Sequence, residues 1–216
     1  MSQAVVVIGG GTLTQRALDA VRPEATVIAA DSGLDHAVAA GLRPHVLVGD
    51  FDSISAAGRM WAYAHELEIH EHPVDKDLTD AELAIRRALD APDLRQLLVI
   101  GGLDDPADQR FDHLLGMLLA LGHPLLAGVG SVKAVLADTQ FQMMHPGKHT
   151  VLDLEAGQTF SLLALHGPCR GVTVNGARWP LANATLDGTE ARGVSNEGTE
   201  RTEVQVESGV LTVVIP

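Results

Sequence analysis

The 216-residue chain predicts an α/β protein: an N-terminal, mostly parallel sheet with flanking helices over 1–127, followed by a C-terminal all-β sandwich over 128–216. Three observations carry this. In the first half, short and wholly apolar runs alternate with helical patterns, as strands covered on both faces by crossover helices do. Each of those runs ends in glycine or aspartate. After about Gly130 the helical period disappears, and runs of strand length follow one another with turn residues between them.

The elements follow in order. Residues 5–8 form a first strand ending in Gly9-Gly10-Gly11. A helical pattern covers 12–21. Residues 26–30 form a second strand ending at Asp31-Ser32-Gly33, with a helix over 34–40. Residues 46–48 make a third, ending at Gly49-Asp50, followed by a helix over 56–66. Thr79 and Glu82 match the T-x-x-E capping box, so a helix is expected to begin at Asp80 and run to 89. Residues 97–100 form a strand ending in Gly101-Gly102, and 110–121 a helix with Phe111, Leu114, Leu115, Leu118 and Leu119 on one face. In the second half, 132–136, 141–144, 151–154, 160–165, 172–174, 203–206 and 210–215 read as strands. Asn175-Gly176 carries a hairpin-turn signal.

Composition narrows the function. Hydrophobic residues make up 46% of the chain and aromatics 3%, so Leu, Val, Ile and Ala must fill the cores. The formal net charge of −13 argues against nucleic acid and anionic membranes as partners. A chain of this charge that handles phosphate needs local cations. Cys169 is the single cysteine, so no intrachain disulfide forms, as suits a reducing cytoplasm. It reads as a small buried residue. The start has no basic leader, and 4–8 is a strand rather than a signal peptide. The longest apolar stretch, 114–129, is broken by His123-Pro124 and reads as a buried helix and loop, not a membrane span.

Open α/β sheets bind ligands at the carboxyl ends of their strands, and that is where this chain gathers its acids. Gly49-Asp50-Phe51-Asp52-Ser53 places two carboxylates two residues apart, on one side if the chain is extended. Asp75-Lys76-Asp77-Leu78-Thr79-Asp80 leads into a helix start, with Asp80 beside unpaired backbone N–H groups. Taken singly, such groups are as often solvated loop acids. Taken together at element ends, they favour a site whose mutual repulsion a hard divalent cation such as Mg²⁺ would relieve. Arg110-Phe111-Asp112-His113 opens a helix with a phosphate-matching guanidinium. Read alone, it is equally a surface arginine and a helix-start acid. His70 and His72 suggest zinc only weakly, since no third ligand stands at a diagnostic spacing.

Three other functions use the same residues. In a dinucleotide-binding oxidoreductase of Rossmann type, Gly9-Gly10-Gly11 would lead to a ribose-binding Asp31, but position 14 is Thr where G-x-G-x-x-G needs glycine. In a D-x-D magnesium phosphatase, Asp50 and Asp52 would require Thr at position 54, which is Ile. A non-catalytic nucleotide-binding module would leave most of the acids without a role. Neither a Walker P-loop nor a G-x-S-x-G elbow is present.

In order, Ala30-Asp31-Ser32-Gly33, Gly49-Asp50-Phe51-Asp52-Ser53, Asp75 to Asp80 and Arg110 to His113 resemble the motifs of thiamine pyrophosphokinases. So do the later segments 175–181 (NGARWPL) and 193–197 (GVSNE). The paired GDFDS and DKDxTD are specific; the later motifs are weak singly. The resemblance spans about 4–215. It implies a homodimeric enzyme that moves the pyrophosphoryl group of ATP to the hydroxyl of thiamine, releasing AMP, with thiamine bound where two subunits meet. It further implies Mg²⁺ on Asp50, Asp52 and Asp80, and catalysis by these with Arg110. Asp31, Ser32, Lys76, Asp77, Arg110 and Asp112 would serve the ATP side, and Trp179, Ser195 and Asn196 the thiamine side. Two departures stand out. Asp108-Gln109 precede Arg110 where the family has Gly-Gly, and Ser32 replaces a common glycine.

Overall fold

Runs rich in Val, Ile and Ala cannot expose either face to water, and in the computed structural model, which describes residues 2–105 and 111–216, they lie at the centre of a covered sheet. The chain divides into two units, Met1–Leu121 with Val129–Asp138, and Gly122–Gly128 with Thr139–Pro216.

Among its described residues the first unit holds six parallel strands: β1 (Ser2–Val7), β2 (Thr26–Ala30), β3 (Val46–Gly49), β4 (Glu68–Glu71), β5 (Leu94–Gly101) and β6 (Ser131–Leu136). Their order in the sheet is β6-β5-β1-β2-β3-β4. The chain runs outward from β1 to β4, then returns to β5 on the other side of β1. The switch point therefore lies between β1 and β5, the place where such sheets open a crevice. Strands β1, β3 and the end of β5 are buried throughout or nearly so. The edge strand β4 is mostly exposed and carries Glu68 and His70, which suits an edge that must resist pairing.

Among the described residues five helices accompany the sheet: α1 (Gln15–Asp19), α2 (Gly33–Ala39), α3 (Ala56–Ala64), α4 (Asp80–Ala88) and α5 (Phe111–Ala120). Their starts obey the expected chemistry. Thr14, Ser55 and Thr79 each accept a backbone N–H from the first turn through the side-chain oxygen. At α4 half of the capping box forms: Thr79 Oγ1 accepts from Glu82 N at 3.2 Å, while the Glu82 carboxylate pairs instead with Arg86 at 2.9 Å. Helix α5 departs from the expected face. Met117 and Leu118 are buried, whereas Phe111, Leu115 and Leu119 are exposed.

The second unit is antiparallel throughout. It contains β7 (Thr139–Met144), β8 (His149–Leu152), β9 (Thr159–Leu163), β10 (Cys169–Ala177), β11 (Leu181–Leu186), β12 (Asn196–Gln205) and β13 (Leu211–Ile215), with a short 3-10 helix at Pro124–Gly128. Strand β13 lies between β7 and β9, and β12 pairs with β8, β9 and β10. Inward residues of these strands, among them Phe160, Leu162, Val172, Val174, Val204, Leu211 and Val213, form one core. Two details differ from the sequence reading. Residues 131–136, expected with the sandwich, pair in parallel with β5. Asn175-Gly176 is no hairpin turn; it is a bulge inside β10, where the register shifts between Asn175 and Ala177. Gly176 has φ +66, and a Cβ there would stand 1.7 Å from Arg201 O, so only glycine fits.

Candidate active site

Three sequence-distant segments meet beyond the carboxyl ends of β2 and β3. Asp31 ends β2 in a left-handed conformation, φ 48, with its N–H donated to Val48 O at 2.9 Å. Beside it, Gly49 ends β3 at φ +150, and a Cβ on it would sit 3.2 Å from Asp31 Cβ and 3.3 Å from Asp80 Cγ. The missing side chain is what lets Asp31 and Asp80 approach across the strand end. Asp50 and Asp52 reach the same place by a turn rather than by the alternation of an extended chain. Phe51 between them is left-handed, φ 65, and Asp52 N donates to Asp50 Oδ1 at 3.3 Å. Asp80 arrives from the first turn of α4, fixed there by the Thr79 cap.

A carboxylate oxygen from each of Asp31, Asp50 and Asp52 lies within 4.8 Å of the others, a spacing that could hold a metal ion. Asp80 is tied to the group through Lys76, whose Nζ is 2.6 Å from Asp50 Oδ2 and 3.1 Å from Asp80 Oδ1. The second contact is an ion pair outside hydrogen-bond alignment. Asp31 Oδ1 is buried without a hydrogen-bond partner, and Asp80 Oδ1 is buried with only that ion pair. Buried acceptors without donors are costly, and they suit a site built to receive a hard cation through oxygen ligands.

Titration behaviour follows from this crowding. Burial pushes Asp31 up to about 6; the Ser53 hydroxyl, which donates to Asp31 Oδ2, opposes it, and Asp80, Asp50 and Asp52 add to it. Burial also raises Asp80 against the pull of Lys76. The hydrogen bond from Lys76 holds Asp50 below the usual carboxylate range. Lys76 is itself pulled down by burial, but its close contacts with the Asp50 and Asp80 carboxylates outweigh that and leave it raised.

These groups line a cleft of about 580 Å³, in the range of small-molecule sites. Of the residues expected on the nucleotide side, Asp31, Ser32, Lys76 and Asp77 line it, as do Asp50, Asp52 and Asp80. Asp112 is exposed in the first turn of α5 and does not line it, whereas its neighbour His113 does. Arg110 lies outside the described residues. Ser53, Val74, Leu114 and Met117, which the sequence reading did not name as site residues, are also among those that line it. Only Ser53 had a signal, as the last residue of GDFDS. The other three needed the fold.

The residues expected on the thiamine side gather in the second unit. Trp179 is 51% exposed, with the Arg178 guanidinium 4.6 Å from its ring centroid. Asn196 is buried, and its amide brackets the Trp179 backbone, accepting from N at 3.1 Å and donating to O at 2.7 Å. Arg178 is held by the Glu197 carboxylate at 2.9 and 3.0 Å. Ser195 is left-handed, φ 59, with its N–H on Ser161 Oγ at 3.0 Å.

The other functions lose their footing here. The amide of Thr12, which a dinucleotide pyrophosphate would need at the end of the glycine run, is taken by Asp104 Oδ1 at 2.6 Å. Ile54, at the position where a phosphatase needs Thr, is 5% exposed and packs in the core with Leu34 and Leu47. His70 is engaged by Glu68 and Arg87.

Residues 19–128 match the family model described as thiamin pyrophosphokinase, catalytic domain, and residues 148–211 match thiamin pyrophosphokinase, vitamin B1 binding domain. A thiamine pyrophosphokinase of Bacillus subtilis is 28% identical over 171 residues, covering 79% of this chain and 77% of the relative. The crystal structure of thiamine pyrophosphokinase from Bacillus subtilis superposes with TM-score 0.80 at 23% identity, covering 100% of this chain and 98% of the other. The yeast enzyme's structure gives 0.72 at 12% identity, covering 99% and 86%.

Proposed function

Because the chain belongs to the thiamin pyrophosphokinase family, we propose that the acidic cleft of the first unit is where ATP is held and its pyrophosphoryl group passed to thiamine. The observation that carries this is the meeting of Asp31, Asp50, Asp52 and Asp80 around Lys76 at the end of β2 and β3. Phosphoryl chemistry asks a protein for position and charge rather than covalent partners, and this site offers both.

Asp50, Asp52 and Asp80 would hold Mg²⁺, with Asp31 beside them; the buried Asp31 Oδ1, which has no hydrogen-bond donor, and Asp80 Oδ1, which has only the Lys76 ammonium near it, support that fit. When bound, the ion would neutralise phosphate oxygens as charge develops on them. In our reading the hydroxyl of thiamine attacks the β-phosphorus of ATP in line and AMP leaves. Lys76 and Arg110 would face the phosphates, and Ser32, Asp77 and Asp112 would serve the ATP side. Trp179 would offer its open face to the fixed cation of the thiazolium, an attraction of about 1 kcal/mol. Ser195 would complete that side, and Asn196 would act by holding Trp179.

We further propose a homodimer. Phe111, Leu115 and Leu119 recur along α5 and stay exposed, and such a stripe suits a second copy. A cytoplasmic location suits one buried cysteine. Among the described residues no helix is long and apolar enough to cross a membrane.

One incubation with ATP, Mg²⁺ and thiamine tests the activity. AMP with thiamine diphosphate is the expected result. ADP with a monophosphate would mean a simple kinase, and inorganic phosphate without loss of thiamine a phosphatase.

A further inference from the structure

Lys76 stands where a cation is wanted. It projects from the irregular segment between β4 and α4, between the exposed Asp75 and Asp77, yet its own side chain is only 14% exposed. Its Nζ contacts Asp50 Oδ2 at 2.6 Å and Asp80 Oδ1 at 3.1 Å. Those are two of the three carboxylates that the metal reading requires. Four acids with one ammonium among them leave the cluster net negative, so the lysine relieves the repulsion only in part.

An ammonium and a divalent cation cannot share the same oxygens. Each repels the other, and Mg²⁺ demands near-ideal octahedral oxygen geometry that a hydrogen-bonding ammonium would spoil. Lysine suits a cation that must move: its charge is compact and rides on a flexible four-carbon stem, unlike the rigid fork of arginine. Its alternative partner is plain. The triphosphate of the nucleotide brings new negative charge into the same cleft.

We propose that Lys76 is a tethered counter-ion of the acidic cluster, displaced by the incoming divalent cation and re-partnered to nucleotide phosphate. Bare metal therefore binds weakly, and metal and nucleotide enter as one unit. This rests on the metal reading of Asp50, Asp52 and Asp80. Its physical content is competition: taking away the lysine charge leaves Asp50 and Asp80 unneutralised and raises their appetite for a free divalent ion.

The test is direct Mn²⁺ binding, followed by electron paramagnetic resonance, to the full chain and to Lys76→Met, with and without a non-hydrolysable ATP analogue. Without nucleotide, K76M is expected to bind Mn²⁺ at least about tenfold more tightly than the parent, one charge contact at a few ångströms being worth that or more. Adding the analogue should then raise Mn²⁺ affinity by a larger factor in the parent than in K76M. Equal or weaker bare-metal affinity in K76M overturns the proposal and leaves the metal reading standing. No Mn²⁺ binding by either protein, with or without the analogue, overturns both. Should K76M fail to fold, the lysine signals of the parent answer instead. Lys76, Lys133 and Lys148 are its three lysines, so ¹⁵N-lysine labelling yields three side-chain signals, with Lys76 assigned through Lys76→Arg. The Lys76 signal must shift when Mg²⁺ and the analogue are added together; an unmoved signal overturns the displacement.

Discussion

At the scale of single residues, Asp31 is where burial and charge conflict most openly. Its carboxyl is raised from 3.8 to about 6, with burial the largest cause. Between those values the folded chain holds a proton that the unfolded chain releases. Asp31 therefore weakens the fold progressively as pH rises from about 4 through 6, and the cost is complete above 6. In EDTA, Asp31→Asn is expected to exceed the parent in stability at pH 8 by on the order of 1–3 kcal/mol. The gain should vanish near pH 4, as urea denaturation at the two pH values will show. A constant gain at both would assign it to packing. Asp80→Ala should lower turnover by on the order of 10²-fold or more; normal turnover and magnesium dependence would remove Asp80 from the metal set. For Trp179→Ala the expectation is a raised KM for thiamine with the KM for ATP little changed. Equal loss for both would make Trp179 structural. The sequence named these residues through their motifs, but it could not show how they meet. Asp50 and Asp52 share a side only if the chain there is extended, and a left-handed Phe51 aligns them instead. Left-handed backbone at a bulky residue leaves no mark in local composition.

At the scale of elements, the site depends on two ends being held still. Thr79 Oγ1 caps α4 one residue before Asp80. Thr79→Ala should cost about 1 kcal/mol of stability, and turnover should fall further than that loss explains, because Asp80 loses its anchor. Thermal melts beside steady-state rates will separate the two. At the end of β3, Gly49→Ala would press a methyl group between Asp31 and Asp80. It should cut activity while leaving the second unit folded. The capping pattern made the α4 start readable in advance, because the cap is local chemistry. The bulge at Asn175-Gly176 was misread for the converse reason. An Asn-Gly pair permits left-handed backbone, and whether the chain then turns or bulges depends on β12 alongside, which local sequence does not contain. The face of α5 differs likewise: the pattern puts Phe111, Leu114, Leu115, Leu118 and Leu119 on one face, whereas Phe111, Leu115 and Leu119 are exposed and Met117, outside that set, is buried with Leu118.

At the scale of the whole molecule, that α5 stripe yields the test of assembly. Leu115→Glu with Leu119→Glu should convert a dimer into monomers in sedimentation velocity, with the melting temperature of the first unit little changed because neither side chain is buried. A parent that already sediments as a monomer would refute the homodimer. The change from alternating to purely antiparallel architecture was legible from periodicity alone. The membership of residues 131–136 was not, because a strand carries no label for the sheet it will join, and only pairing with β5 assigns it. Cys169 has a last consequence at this scale. Its side chain is wholly enclosed, and burial lifts the thiol to about 11. Thiolate is then scarce at neutral pH, and alkylating reagents find nothing to attack. The chain accordingly offers a chemically silent background. A new cysteine placed on the surface, such as Leu125→Cys, will take a spin label or fluorophore at one position without any prior removal of the native one.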